Sequence, residues 1–167
     1  MKPRRPPRPR PKSRAELLAR EKETWDELAA TWCDLPEAAQ LQPGACGPGW
    51  SVKDVVNHVA AWQEAALRII PEYLAGRRAT LGHGTDRFNE LQQLADRDRS
   101  LAASRRRLNR SRRLLLALLP AVPDEQLLDP NGRIHWWVKY TTYAHYGQHI
   151  YELSAFARRW KAEGSRR

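Results

Sequence analysis

Four stretches of the chain repeat apolar residues at three- to four-residue spacing, the period of an α-helix with one buried face. The first opens at Ser13, which with Glu16 forms an S-x-x-E capping box. Leu17, Leu18, Glu21, Trp25, Leu28, Ala29 and Trp32 follow on one side, and Pro36 sets the limit. Residues 35–49 contain Pro36, Pro43, Gly44, Gly47, Pro48 and Gly49, which predicts a loop with room for one helical turn. Ser51 caps a second helix, with Asp54 as the carboxylate of its first turn. Val55, His58, Trp62, Ala65 and Ile69 form its inner stripe, which dies at Leu74-Ala75-Gly76. Gly82-His83-Gly84 marks a second loop. No Gly or Pro interrupts residues 86–119, where Leu94, Leu101, Leu108 and Leu115 stand seven apart, as in a left-handed bundle. A straight helix of that length would run about 50 Å, so a bend or break is expected within it. Pro120 and Pro123 end it, Asp129-Pro130-Asn131-Gly132 is a turn, and the last helix runs from Trp136 or Tyr140 to Trp160. Strand alternation and internal repeats are missing. The pattern predicts an all-α four-helix bundle with long connections.

Composition changes this picture mainly at the ends. The 167 residues include 29 Lys+Arg against 19 Asp+Glu, a net charge of +10. Seven of the basic groups lie in residues 1–14 with no acid, and five lie in 158–167 beside one acid, Glu163. Residues 15–157 are left with 17 basic and 18 acidic groups, so the folded body is nearly neutral. Residues 1–12, MKPRRPPRPRPK, are expected to form a disordered, polyproline-II-like tail. The bundle domain is placed at 13–162, followed by a short basic tail at 163–167. Arg105, Arg106, Arg107, Arg110, Arg112 and Arg113 make a basic run read as a solvated helix face. Nucleic acid is expected only as a non-specific partner, attracted chiefly by the tails, because no recognition motif is legible. The glycine loops lack the Lys-Ser/Thr of a phosphate loop. Two cysteines, Cys33 and Cys46, without a CxxC pattern argue against a disulfide framework. The longest apolar run, at 114–119, is far too short to span a bilayer, and the Arg4-Arg5 pair lacks an apolar h-region. A soluble, cytoplasmic protein is expected.

The chemistry concentrates in histidine. His145 and His149 stand four apart, hence on one helical face together with Thr141, Glu152 and Phe156. Two imidazoles at that spacing can converge on one divalent ion, with other helices offering further ligands. His58 is the third candidate, set on an apolar stripe between Val55 and Trp62. Two readings stay open on spacing alone: three core histidines, each hydrogen-bonded separately, or one metal centre. No Glu follows His145, so an HExxH protease is excluded. His83 and His135 fall in loops and are expected to be exposed. Trp25, Trp32 and Trp62 are expected in the core, whereas Trp136 and Trp137 are hard to bury together.

Residues 50–62, WSVKDVVNHVAAW, resemble the W-S-x-K-D-x-x-x-H-[LV]-x-x-W motif of DinB-like proteins. Residues 142–150, TYAHYGQHI, are similar to the T-Y-x-H-Y-x-x-H-I segment of their last helix, and Asp86-Arg87-Phe88-Asn89-Glu90 resembles the ClbS/DfsB branch. The resemblance covers roughly residues 14–160. It implies a four-helix bundle that often holds one divalent metal, commonly zinc or nickel, on three histidines, here His58, His145 and His149. Members of the superfamily include hydrolases and transferases that use a low-molecular-weight thiol. The ClbS/DfsB branch includes a protein that protects its producer from the genotoxin colibactin by opening a cyclopropane.

A divalent ion on three neutral imidazoles would activate a water or hold a thiol as thiolate. Asp54, one turn before His58, and Glu152, after His149, are the candidate general bases. Asn89, Tyr143 and Tyr146 are candidate substrate-binding residues, with bundle packing the simpler role for at least one tyrosine. Three functions are thus implied: a metal-assisted enzyme acting on an electrophilic small molecule in detoxification or stress resistance, a protein that sequesters such a ligand without turnover, or a module that docks its basic tails on acidic partners. Homodimers are common among such bundles.

Overall fold

The computed structural model describes residues 8–47 and 49–164. Their secondary structure is entirely helical: α1 (Arg14–Ala30), α2 (Glu37–Leu41), α3 (Val52–Leu74), α4 (Thr85–Ala95), α5 (Leu101–Leu118), a 3-10 turn (Leu119–Ala121), α6 (Asp124–Leu127), α7 (Arg133–Thr141) and α8 (Tyr143–Gly164). The long helices α1, α3, α5 and α8 form the bundle, with α3 packed on α5 and α7, and α1 on α8. Of the tail expected at 1–12, residues 1–7 lie outside the described residues. Residues 8–12 run back along α1, where Arg8 pairs with Glu23 at 2.5 Å and the Lys12 N–H donates to Glu16.

The core divides into two clusters along α3. Its first half gives Val52, Val55, Val56, Val59 and Ala60 to a cluster with Leu28, Trp32, Leu108, Leu153 and Phe156. Its second half gives Trp62, Ala65, Ala66, Ile69 and Ile70 to a cluster with Leu17, Leu115, Leu119, Ile134, Trp137 and Val138. His58 lies within the first run, between Val56 and Val59. Polar groups buried at the centre satisfy one another across four helices. Arg112 donates two hydrogen bonds to the Glu21 carboxylate, both at 2.7 Å, and the Tyr146 hydroxyl donates to Glu21 at 3.2 Å. Gln63 donates to the Tyr146 oxygen at 2.7 Å, and Ser111 donates to Gln63 at 2.5 Å.

Two expected helices are each interrupted. The glycine- and proline-free stretch breaks at residues 96–100, where Asp96 turns inward to Arg107 and Arg99 while Ser100 caps α5 by accepting from the Ala103 N–H. Leu101, Leu108 and Leu115 are buried, but Leu94, beyond the break, is 54% exposed. The last helix begins earlier than expected and breaks at Thr142, whose backbone leaves the helical region (φ −128°, ψ −121°). The hydroxyls of Thr141 and Thr142 donate to the carbonyls four residues back, a bond that competes with regular helix geometry.

The earlier start of α7 corrects the expectation for His135. It is 3% exposed rather than a loop residue in solvent, because α7 turns Ile134, His135, Trp137 and Val138 inward. The cost of burying its ring is offset by a 2.7 Å hydrogen bond between Nδ1 and the Leu127 carbonyl. His83 is exposed, as expected. Trp32, Trp62 and Trp137 are core residues, Trp25 is half-buried, and Trp136 is 40% exposed.

Candidate metal centre

His58 is positioned by the start of α3. Ser51 accepts a hydrogen bond from the Asp54 N–H, and the Asp54 carboxylate accepts from the Ser51 N–H at 2.8 Å and its hydroxyl at 2.6 Å. This reciprocal box fixes the first turn, and one turn later His58 faces α8. The break at Thr142 starts α8 afresh just before His145, so His145 and His149 turn inward to meet it.

The three rings converge. Their centroids are 4.8 Å (His58–His145), 5.2 Å (His58–His149) and 5.0 Å (His145–His149) apart. Nε2 of His58 and Nε2 of His145 are separated by 2.9 Å. One ligand nitrogen from each ring lies within 4.8 Å of the others. Zinc–nitrogen bonds of about 2.0–2.1 Å place tetrahedral nitrogen ligands roughly 3.3 Å apart, so small side-chain rotations would bring all three to one ion. Nδ1 of His145 and Nε2 of His149 are buried without a hydrogen-bond partner. Such orphaned nitrogens are costly unless another group satisfies them. Burial and the neighbouring His149 lower the pKa of His58 to about 3, and burial with His149 and His58 holds His145 well below its ordinary value. Neutral imidazole is the form that ligates a cation. The residues present fit a divalent metal.

Around the rings, Trp50 packs edge-on against His58 at 5.1 Å, and Trp62 lies 6.3 Å from His58 and 6.1 Å from His145. A pocket of about 10 Å³, room for roughly one water, adjoins His58. Asn57, Asn89, Gln92, Gln93, Asp54 and Asp96 give it a polar lining. Asn89 also accepts the Trp62 indole N–H at 2.9 Å. Asp96 closes the far side through its ion pairs with Arg107 and Arg99, which fasten the end of α4 to α5.

The other sequence candidates are dispersed. Asp54 reaches the pocket, but its carboxylate is engaged by Ser51. Tyr146 is fully buried in the Glu21–Gln63 network, where burial and the Glu21 charge raise its pKa well above the ordinary value. Tyr143 lies in the core cluster of Trp62 and Trp137 under the Arg20 guanidinium, and burial raises its pKa too. Neither tyrosine lines the His58 pocket. Glu152 stands beside His149, with Oε2 3.8 Å from Nδ1.

Cys46 is the neighbour that sequence reasoning missed. Its thiol donates to Glu152 Oε2 at 2.6 Å, and Sγ lies 3.9 Å from His149 Nδ1. No sequence spacing signals this contact, because 103 residues separate Cys46 from His149.

Comparison with known proteins bears on the fold. The family model of the DinB superfamily matches residues 4–153. No curated protein gives a significant match. Among solved structures, an uncharacterised protein from Escherichia coli UTI89 is similar at TM-score 0.78 and 16% identity, over 91% of this chain and 96% of that one. The colibactin self-resistance protein ClbS, in complex with a dsDNA, is similar at TM-score 0.73 and 18% identity, over 89% and 97%. DfsB, described as a sibling lethal factor precursor, gives 0.71 and 15% over 92% and 98%. At these identities the likeness establishes a shared fold. With its family model spanning most of the sequence, the chain belongs to the DinB superfamily.

Proposed function

We propose that this protein holds a divalent metal, zinc or nickel, on His58, His145 and His149 and acts on an electrophilic small molecule, by hydrolysis or by addition of a low-molecular-weight thiol, in detoxification or stress resistance. The convergence of three imidazoles, two buried and one half-buried, with Nε2 of His149 left without a hydrogen-bond partner, carries this reading. The ion would supply Lewis-acid activation of the nucleophile. Glu152 braces the outer side of the His149 ring and is the nearest carboxylate to it for accepting a proton. Asp54 acts through the capping box, setting the turn that carries His58. Asn89, with Gln92, Gln93 and Asn57, offers amide donors and acceptors to orient a polar substrate, while Trp50 and Trp62 shield the rings from water.

The second reading is sequestration without turnover. The likeness to ClbS, a self-resistance protein, supports it. That protein's complex with dsDNA also supports loose DNA attachment, since Arg106, Arg110 and Arg113 have no acidic partner among the described residues. A turnover assay separates the first two. Zinc-loaded full-length protein is incubated with small epoxides and activated cyclopropanes, with and without added thiol. The enzyme reading predicts many equivalents consumed per protein, abolished by chelation and restored by zinc. Consumption limited to one equivalent, unaffected by chelator, would establish sequestration instead.

A further inference from the structure

His149 has two faces. Its Nε2 is an orphan in the buried interior, while Nδ1 points to the Cys46 thiol at 3.9 Å and the Glu152 carboxylate at 3.8 Å. We propose that Cys46, His149 through Nδ1, and Glu152 form a second metal-binding set for a thiophilic divalent ion, adjoining the three-histidine set and sharing His149 with it. The proposal rests on the reading of His58, His145 and His149 as ligands only for the word second.

The chemistry of the donors supports it. A thiol, an imidazole and a carboxylate are the three protein donors that zinc accepts, and three protein ligands leave a tetrahedral ion one open position. The three ligand atoms lie within 4.8 Å of one another. Bond lengths of about 2.3 Å to sulfur and 2.0–2.2 Å to nitrogen and oxygen put such donors roughly 3.3–3.6 Å apart. The separations from Nδ1 are close to this already. The 2.6 Å contact between sulfur and Oε2 is shorter than this, so those two atoms must separate for both to ligate. Ion binding breaks the S–H bond, forms a sulfur–metal bond, releases the thiol proton to solvent and lets the two atoms move about 1 Å apart. When the three-histidine set is filled as well, His149 bridges the two ions as an imidazolate and its ring N–H proton is released to solvent too.

The donors are carried on fixed backbone. His149 and Glu152 are three apart on α8. The Cys46 loop is pinned to the start of α3, since the N–H groups of Gly44 and Ala45 donate to the Trp50 carbonyl at 3.0 and 2.8 Å. It is also pinned to α8, because Arg159 donates to the Gly44 carbonyl at 3.0 Å. Buried Ala45 anchors the same loop in the core. Cys46 and Glu152 are only partly buried, so an ion can enter from solvent.

Cobalt(II) titration of the full chain tests the proposal, because thiolate-to-cobalt charge transfer gives a near-ultraviolet band that histidine and carboxylate ligands do not. Wild type should bind two equivalents and develop the band. Cys46→Ser should bind one equivalent without the band, whereas Cys33→Ser should keep both. Glu152→Gln should keep the fold, checked by circular dichroism, and weaken the band-forming site about tenfold or more. His58→Ala should lose one equivalent and retain the band. Absence of the band in wild type, its persistence in Cys46→Ser, or its loss in His58→Ala would overturn the second set. Two equivalents and an intact band in His58→Ala would instead refute the three-histidine centre while leaving the Cys46 set standing.

Discussion

Glu21 carries a charge with only 1% of its surface exposed, a placement tolerated because Arg112 meets it with two parallel hydrogen bonds and Tyr146 adds a third. Truncating it would leave the guanidinium and the phenol without their acceptor. Glu21→Ala should therefore cost about 3 kcal/mol or more in urea unfolding, far beyond an exposed carboxylate such as Glu23. His58 makes a second residue-scale prediction. Its pKa is about 3 in the folded protein against 6.5 unfolded, so above pH 6.5 it is neutral in both states. Below that value the unfolded chain takes up the proton first. Stability of the chelator-treated protein should accordingly fall as pH drops from 6.5 toward 3, by a total on the order of a few kcal/mol from this group. His58→Ala should flatten that dependence; an unchanged slope would show that His58 is not held neutral by burial.

Among the elements, the start of α3 carries the most consequence, because the box between Ser51 and Asp54 fixes the turn preceding His58. Ser51→Ala should cost about 1 kcal/mol in stability. Asp54→Asn should be similarly mild, and in the zinc-loaded turnover assay it should retain most activity. A loss of a hundredfold or more without unfolding would assign Asp54 a catalytic role instead. Helix existence was legible from periodicity, and the starts of α1 and α3 from their serine caps; the breaks within the later helices were not. Residues 86–119 read as continuous because neither Gly nor Pro interrupts them, and the break is made by Asp96, whose inward turn depends on Arg107 in the next helix. Likewise His135 reads as a loop residue until the carbonyl of Leu127 is seen to satisfy its ring. Both outcomes were decided by partners that local patterns do not contain.

Across the whole molecule, the basic charge and the candidate chemistry occupy different places. Seven of the basic groups lie in residues 1–14, far in sequence from the three histidines. Removing residues 1–12 deletes the Arg8–Glu23 and Arg8–Glu27 pairs together with the buried Pro11 and should lower stability by about 1–2 kcal/mol, with metal content unaltered. His58, His145 and His149 were legible because two of them share one helix face and the third sits incongruously on an apolar stripe. Cys46 was not, since its approach to His149 exists only once the loop before α3 has folded onto α8. No helix among the described residues is long and apolar enough to cross a membrane. The measurement closest to the central claim is metal content. Wild-type protein expressed in zinc- and nickel-replete medium and freed of loosely bound ions should retain bound zinc or nickel by elemental analysis, and His58→Ala, while folded, should retain less. Wild-type protein that retains no divalent metal under these conditions would contradict the account.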